Sequence, residues 1–449
     1  MKILLISANQ LTSPYPVYPL GLDYVAGAIS AKHSVRIADM NALGDFSALG
    51  KMIEDFSPDM IGISLRNADN TDADDPKGFM GQYQDLSTYI RSISNIPIVL
   101  GGSGFTIFPA EMMKALQADY GLIGEGERLL LLLDALEKKD DLSQIPGLVC
   151  REKSVQIPKP LDRAFSLPNL PDMPHTAYYL KNGGMLNLQS KRGCSYNCIY
   201  CTYPHIEGRK LRLVAPEKVA EAALRLQNAG AKYFFVTDAV FNSHYEHSAE
   251  VARAFRKSGI SIPWGAFFLP GLPPDDYYQC LADAGLRHAE FGTESLSGKM
   301  LAAYGKPFRA AHVFAAHKAA IRAGIHAAHY FLPGGPGENQ DTLRETLTEM
   351  EKLEKTVLFF FCGMRIYPHT RLYEIARNEG QIRENQNLLE PVYYHSPHIR
   401  TEEILRQVRE KAKNRSNWII GAGGEETAAI LRRMYAKGYT GPLWEYLIR

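Results

Sequence analysis

Apolar residues in the first 150 positions fall into short runs, each followed by a longer stretch with helical spacing. The runs Lys2–Ala8, Ser34–Met40, Met60–Leu65, Ile96–Gly101 and Tyr120–Gly124 read as strands. Helical patterns lie between them, around Leu20–Ala31, Phe46–Phe56, Met80–Ser92 and Pro109–Gln117. This alternation predicts an α/β unit over 1–150 with a doubly wound, flavodoxin-like parallel sheet. Such sheets hold ligands at the carboxyl ends of their strands. Residues 151–184 are polar and Pro-rich and read as a linker. The alternation resumes over 185–375, with strands at Met185–Ser190, Tyr233–Thr237, Ile262–Phe268, His288–Gly292, His326–Leu332 and Leu358–Ile366. Helices such as Pro216–Asn228 and Arg309–Ala323 separate them. Beyond Tyr373 the pattern turns to polar helices, so 376–449 reads as a small helical C-terminal region docked through Trp444 and Tyr446.

Composition narrows the class. The chain has 449 residues, 45% of them hydrophobic and 22% charged, with a net charge of +1. That length holds two or three domains of ordinary soluble character. The balanced charge offers no electrostatic footprint for nucleic acid. No apolar run is long enough to span a bilayer, and the opening MKILLISANQ reads as a strand rather than a signal peptide. Three of the 6 cysteines are clustered, which argues for a reducing, cytoplasmic setting in an anaerobic or microaerobic cell.

Those three are Cys194, Cys198 and Cys201, spaced C-x3-C-x2-C in the loop after the Met185–Ser190 strand. Thiolates are the soft ligands that iron–sulfur clusters require. Three of them fill three corners of a [4Fe-4S] cube and leave one iron open. A zinc loop is the alternative, but zinc sites usually add a second Cys or His pair, and the sequence shows no second CxxC pair. With Tyr200 directly before the last cysteine, the loop resembles that of the radical S-adenosylmethionine (SAM) enzymes. The resemblance implies SAM chelated to the open iron and cleaved to a 5′-deoxyadenosyl radical. It also implies an incomplete (β/α)6 barrel over 185–375.

The first 150 residues resemble the cobalamin-binding domain that precedes many radical SAM barrels. The matching pieces are the Pro19-Leu20-Gly21-Leu22 helix entry, "PDMIGISLRN", "VLGGSGFTIFPAE" and "DYGLIGEGE". Cofactor-contact candidates at the strand ends are Leu65, Arg66, Asn67, Gly101, Gly102, Ser103, Gly124 and Glu125, with Leu65 and Arg66 placed toward the lower face of cobalt. The Asp-x-His-x-x-Gly pattern that gives cobalt a histidine is absent, which implies cobalt without that ligand. From the residues alone, a Gly-rich α/β domain could equally hold a nucleotide or a flavin, or nothing. No G-x-G-x-x-G follows the first strand. The acidic stretch Asp69–Asp75 reads either as a solvated loop or, as loops of this length usually are, as a functional or mobile one.

In the barrel, the resemblance implies SAM contacts at Tyr200, Asp238, Glu294, Gly334, Gly335 and Arg365. Asp238 lies in a D-x-x-F stretch, and Glu294 suits two ribose hydroxyls as acceptor. Gly334 and Gly335 would lie against adenine, and Arg365 would meet the SAM carboxylate or substrate. Cys362 reads as a buried small hydrophobe on a strand near the substrate space. Phe267, Phe268, Phe331 and Phe361 suit an apolar substrate or plain core packing equally.

The implied activity is a cobalamin-dependent radical SAM enzyme that methylates an unactivated carbon of a small-molecule or lipid-like substrate. A second SAM supplies methyl to cobalamin, and the substrate radical takes it from methylcobalamin. The alternative is a radical cyclisation, rearrangement or oxidation without methyl transfer. A flavodoxin or ferredoxin would donate electrons.

Overall fold

The computed structural model describes residues 1–150, 158–161 and 175–448. Most of the expected linker lies outside the described residues. Its last part carries a short helix, Thr176–Lys181.

The first sheet comprises β1 (Lys2–Ser7), β2 (Ser34–Asp39), β3 (Met60–Ser64), β4 (Ile98–Gly101), β5 (Tyr120–Leu122) and β6 (Leu148–Cys150), in the order β2-β1-β3-β4-β5-β6. β1 to β5 are parallel, the doubly wound order expected, and β6 adds an antiparallel edge. Both faces are apolar because helices cover both, which is why the strands read as near-continuous hydrophobic runs.

Next come β7 (Met185–Leu188) and a short antiparallel pair, β8 (Lys191–Arg192) with β9 (Arg212–Leu213). β10 (Tyr233–Val236), β11 (Trp264–Phe268), β12 (Leu286–Glu294), β13 (His326–Phe331) and β14 (Thr356–Phe360) then line up parallel beside β7. The expected last strand, Leu358–Ile366, is cut at Phe360. Gly363 turns the chain at φ 104°, and β15 (Met364–Arg365) pairs instead with β16 (Tyr393–Tyr394). The C-terminal region carries helices at Thr401–Ala412 and Gly424–Ala436 but is otherwise largely loop, and it also supplies β17 (Trp418–Ile420), a seventh parallel strand beside β14.

Along these strands, alternate residues face opposite ways. Val236, Ala266, Phe268 and Phe291 belong to one apolar cluster with the helices outside, and Phe331 and Phe360 to another. The inward set ends on a floor made by the chain's own C-terminal segment. There the Trp444 indole Nε1 donates to Glu290 Oε1 at 3.0 Å, and the Tyr330 hydroxyl donates to Oε2 at 2.9 Å. Burial lifts the Glu290 carboxyl from its usual value to about 7. An acid raised on folding stabilises the native state fully below its unfolded pKa, and that contribution is lost as pH climbs to about 7. Glu290→Gln should therefore unfold with a shallower loss of stability between pH 5 and 7 than the unaltered protein. The missing component is on the order of 2–3 kcal/mol, read from urea melts at each pH.

Buried ion pairs tie the two sheets together. Arg192 reaches Glu127 at 2.7 Å, Arg212 pairs with Glu125, and Arg365 Nε donates to Asp69 at 2.8 Å. The Asp69–Asp75 stretch is therefore not simply a solvated loop. Asp69 and Asp72 are buried, and Asp69 also accepts from the Tyr367 hydroxyl. Arg365→Lys should cost about 1–3 kcal/mol in a urea melt. An ammonium cannot serve Asp69 and the Ile366 and Leu388 carbonyls together as the guanidinium does.

Candidate functional site

The cysteine loop is held closed by backbone, not by its thiols. The β8–β9 pair joins its two ends, and Cys194 N–H donates to the Gly208 carbonyl at 3.0 Å. Ile199 N–H donates to Tyr304 O at 3.1 Å, and Leu372 N–H to Ile199 O at 2.8 Å. Gly305 lies so close beneath the loop that a Cβ there would come within 2.5 Å of the Asn197 carbonyl. Cys194 is buried, Cys198 and Cys201 are half-buried, and all three are free thiols. Four thiolates or imidazoles around one zinc sit roughly 4 Å apart or less. Among the described residues, the only three metal-capable side chains with ligand atoms within 4.8 Å of one another are His33, Asp134 and Glu137. At least one pair of the three sulfurs therefore stands more than 4.8 Å apart, wider than the edge of a single-ion site and compatible with the corners of a cube.

Beside them lies a cation that the sequence reading did not single out. Lys306 Nζ donates to Glu294 Oε1 at 2.9 Å and to the Tyr200 hydroxyl at 3.0 Å, while Tyr200 donates to Glu294 at 2.7 Å. Burial alone would lower the Lys306 pKa, but Glu294, Cys198 and Cys201 outweigh it and hold the ammonium charged. Burial pushes the Cys201 thiol up to about 12, and Lys306 pulls it back. The only sequence signal for Lys306 was its place in Tyr304-Gly305-Lys306-Pro307, shortly after Glu294. Glu294 itself has positive φ, 61°, at a bulge in β12, an uncommon backbone state for a non-glycine residue. The Gly334–Gly335 turn belongs to the same cluster. The Tyr304 hydroxyl donates to Leu332 O at 2.9 Å, and Gly335 N–H lies 3.1 Å from the same hydroxyl. Tyr200, Glu294, Gly334 and Gly335 are thus brought together next to the thiols.

A cavity of about 590 Å³ lies between the two sheets at the carboxyl ends of β1, β3, β4 and β5. Arg66, Asn67, Gly101, Gly102, Ser103, Gly124 and Glu125 line it. From the barrel side come Asn187, Gln189, Arg192, Thr202 and Tyr203, the last two directly following Cys201. No histidine is among its lining residues. Arg66 projects into this space and keeps its side chain exposed to it.

Four expected contacts are placed differently. Leu65 does not line the cavity. It continues the alternation of Ile61 and Ile63 into the core, and its carbonyl accepts from Gly104 N–H at 2.9 Å. Asp238 is fully buried and saturated, accepting from Ser190 N–H at 2.7 Å and Lys191 Nζ at 2.8 Å, so it anchors the start of the cysteine loop rather than facing a ligand. Arg365 is spent on Asp69 and main-chain carbonyls and is not available to a carboxylate of SAM or substrate. Glu125 borders the cavity, but its oxygens are taken by Arg212, Arg192 and Leu161 N–H.

The wide spacing of the thiols suits an iron–sulfur cube, and the interdomain cavity, free of histidine and next to the thiol loop, suits a corrinoid. Residues 6–133 match the B12 binding domain, and residues 188–350 match the Radical SAM superfamily. An uncharacterized methyltransferase of Pyrococcus horikoshii is 27% identical over 369 residues, covering 80% of this chain and 78% of that protein. The tryptophan 2-C-methyltransferase of Streptomyces laurentii is 24% identical, covering 82% of this chain and 73% of that protein. Among solved structures, the radical SAM methyltransferase TsrM from Kitasatospora setae, with cobalamin and a [4Fe-4S] cluster bound, shares the fold. Its TM-score is 0.88 at 21% identity, covering 99% of this chain and 97% of that one. The chain belongs to the B12-binding radical SAM methyltransferase family. It is a cobalamin-dependent radical SAM methyltransferase, with a [4Fe-4S] cluster, SAM and cobalamin as cofactors.

Proposed function

We propose that this enzyme methylates an unactivated carbon of a small-molecule or lipid-like substrate, with Cys194, Cys198 and Cys201 as the cluster ligands. The observation that carries the reading is a shared wall. Thr202 and Tyr203, which border the interdomain cavity, follow Cys201 without a break. The residues that would hold the cluster and those that would hold the corrinoid therefore share one wall. When bound, these cofactors supply reductive cleavage of SAM to a 5′-deoxyadenosyl radical and a methyl carrier.

The chain's own residues bind, orient and exclude water. Glu294, held by Lys306 and Tyr200, would accept the ribose hydroxyls of SAM, and the Gly334–Gly335 turn would hold its adenine. Asn67, Gly101, Gly102, Ser103 and Gly124, with Arg66 beside them, would hold the corrinoid. Residues 1–150 and 185–375 serve as the two cofactor-holding units, joined by 151–184, with 376–449 closing the barrel. A flavodoxin or ferredoxin in a reducing cytoplasm supplies electrons. No helix among the described residues is long and apolar enough to cross a membrane.

Anaerobically reconstituted enzyme given SAM, cobalamin and a strong reductant should form both S-adenosylhomocysteine and 5′-deoxyadenosine, scored by mass spectrometry. Deoxyadenosine without S-adenosylhomocysteine would favour a radical rearrangement, cyclisation or oxidation over methyl transfer.

A further inference from the structure

The inner face of the barrel carries a run of aromatic side chains. Two of the four phenylalanines that suited either role, Phe268 and Phe331, point outward into the core. Phe267 points inward and keeps 38% of its surface, so it faces space that no side chain fills. Phe235 meets it edge-on, with centroids 4.8 Å apart. Two strands away, Tyr330 and Phe359 are stacked at 4.8 Å with planes only 9° apart, and both keep some exposed surface. The strand between, β12, places Gly292 in register with Tyr330, and the Glu294 carboxylate, held by Lys306, bounds the lumen at that level.

The gap in the incomplete barrel is closed from the first domain. Tyr15 packs against Met185, Tyr233 and Phe235 on one side and against Leu431, Tyr435 and Leu443 on the other. Below, the Trp444–Glu290–Tyr330 contact forms the floor. Both Glu290 oxygens are already hydrogen-bonded, and the carboxyl gives up its proton only near neutrality. No inward position of β7 or β10 to β14 among the described residues holds a lysine or arginine. At the mouth, Lys306 is paired with Glu294, and Arg66 lines the adjoining cavity on the far side of Tyr15 from the floor, so neither cation stands at the Trp444–Glu290–Tyr330 end. A phosphorylated or carboxylate-bearing group would be buried here without a countercharge, at a cost of several kcal/mol. A flat ring would gain offset stacking of about 0.5–1.5 kcal/mol beyond area burial.

We propose that this lumen takes a planar, uncharged aromatic portion of the substrate, lying on the Tyr330–Phe359 stack beside Phe267, with Trp444 setting its depth. The proposal deepens the methyl-transfer reading and rests on it for the chemistry, but the binding itself needs no turnover.

The test is equilibrium dialysis of 5-fluoroindole against the reconstituted holoenzyme, with 1-hexanol and 2-hydroxyethylphosphonate as competitors. We expect one saturable site, weakened at least tenfold by Phe267→Asp and less than threefold by Phe267→Leu, with cluster and cobalamin content unchanged. Neither competitor should displace the probe at concentrations tenfold above its own. Absence of saturable binding, equal binding to Phe267→Asp, or displacement by hexanol or phosphonate would overturn the proposal. Should Phe267→Asp not fold, the competition experiment decides alone. S-adenosylhomocysteine formation is measured on the same preparation without probe. If it persists while 5-fluoroindole does not bind, only the lumen assignment fails. If it is absent while 5-fluoroindole binds, only the methyl-transfer reading fails.

Discussion

Changing Cys198 to Ala should leave a folded protein without its cluster and without 5′-deoxyadenosine formation. The thiol is half-buried, and although Lys306 lies beside it, the hydrogen bonds that close the loop do not use it. The hydrogen bonds from Cys194 N–H to Gly208 O, from Ile199 N–H to Tyr304 O and from Leu372 N–H to Ile199 O are all main-chain. Two remaining thiolates cannot hold a cube with one iron left open, so product formation should fall at least about a hundredfold, roughly 2.7 kcal/mol or more in the barrier. Iron and sulfide content, visible absorption and mass spectrometry of the SAM products check this directly. Cys362→Ala is the control. That side chain is buried among Leu358, Phe360 and Ile404 in a separate apolar cluster, and burial pushes its thiol up to about 12. It should keep iron and product. A Cys198→Ala protein that retains iron and cleaves SAM would remove the ligand assignment.

Lys191→Met should be among the most destabilising single changes in the barrel. The Asp238 carboxylate is fully buried and accepts from Ser190 N–H, Ser190 Oγ, Lys191 N–H and Lys191 Nζ at 2.5 to 3.2 Å. The same ammonium donates to Phe241 O at 2.6 Å and stands 5.1 Å over the Phe241 ring. Methionine keeps most of the volume but strands a buried charge, at a cost of about 3–5 kcal/mol. The urea midpoint should fall with little change in slope. Adding Asp238→Asn should restore a large part of the loss, because the two sites are coupled through one bond. Cluster content should fall with Lys191→Met as well, since Ser190 and Lys191 lead directly into Cys194. A loss below about 1 kcal/mol would show that the carboxylate has other compensation.

Asp238 also shows where sequence reading stopped. Its position after a strand suited a ligand contact, and strand-end carboxylates serve equally as anchors. Only the partners around it distinguish the two. Arg365 and Glu125 are the same case, since each pairs with a residue more than 60 positions away, Asp69 for one and Arg192 or Arg212 for the other. Leu65 was misplaced by a single residue. The period of two that sent Ile61 and Ile63 into the core continued one step past the strand, leaving Arg66 to face the cavity. Lys306 had no local signature, because a lysine after a Gly turn is usually a solvated one. Its role depends on Glu294 and Tyr200 converging from other elements.

The sequence by itself determined the two β/α alternations, the doubly wound order of the first, the three-cysteine loop and the absence of a histidine among the motifs that bind cobalt. Each of these is written in local spacing, where hydrophobic period and ligand type suffice. Tertiary structure decided the rest. It put a C-terminal strand into the barrel sheet, closed the barrel with Tyr15 and Trp444, and turned Phe267 inward and Phe268 outward. It also sorted the charged strand-end residues into those that face a ligand and those spent on holding the two sheets together. Burial and pairing of charge depend on which distant segments meet, and no local pattern encodes that.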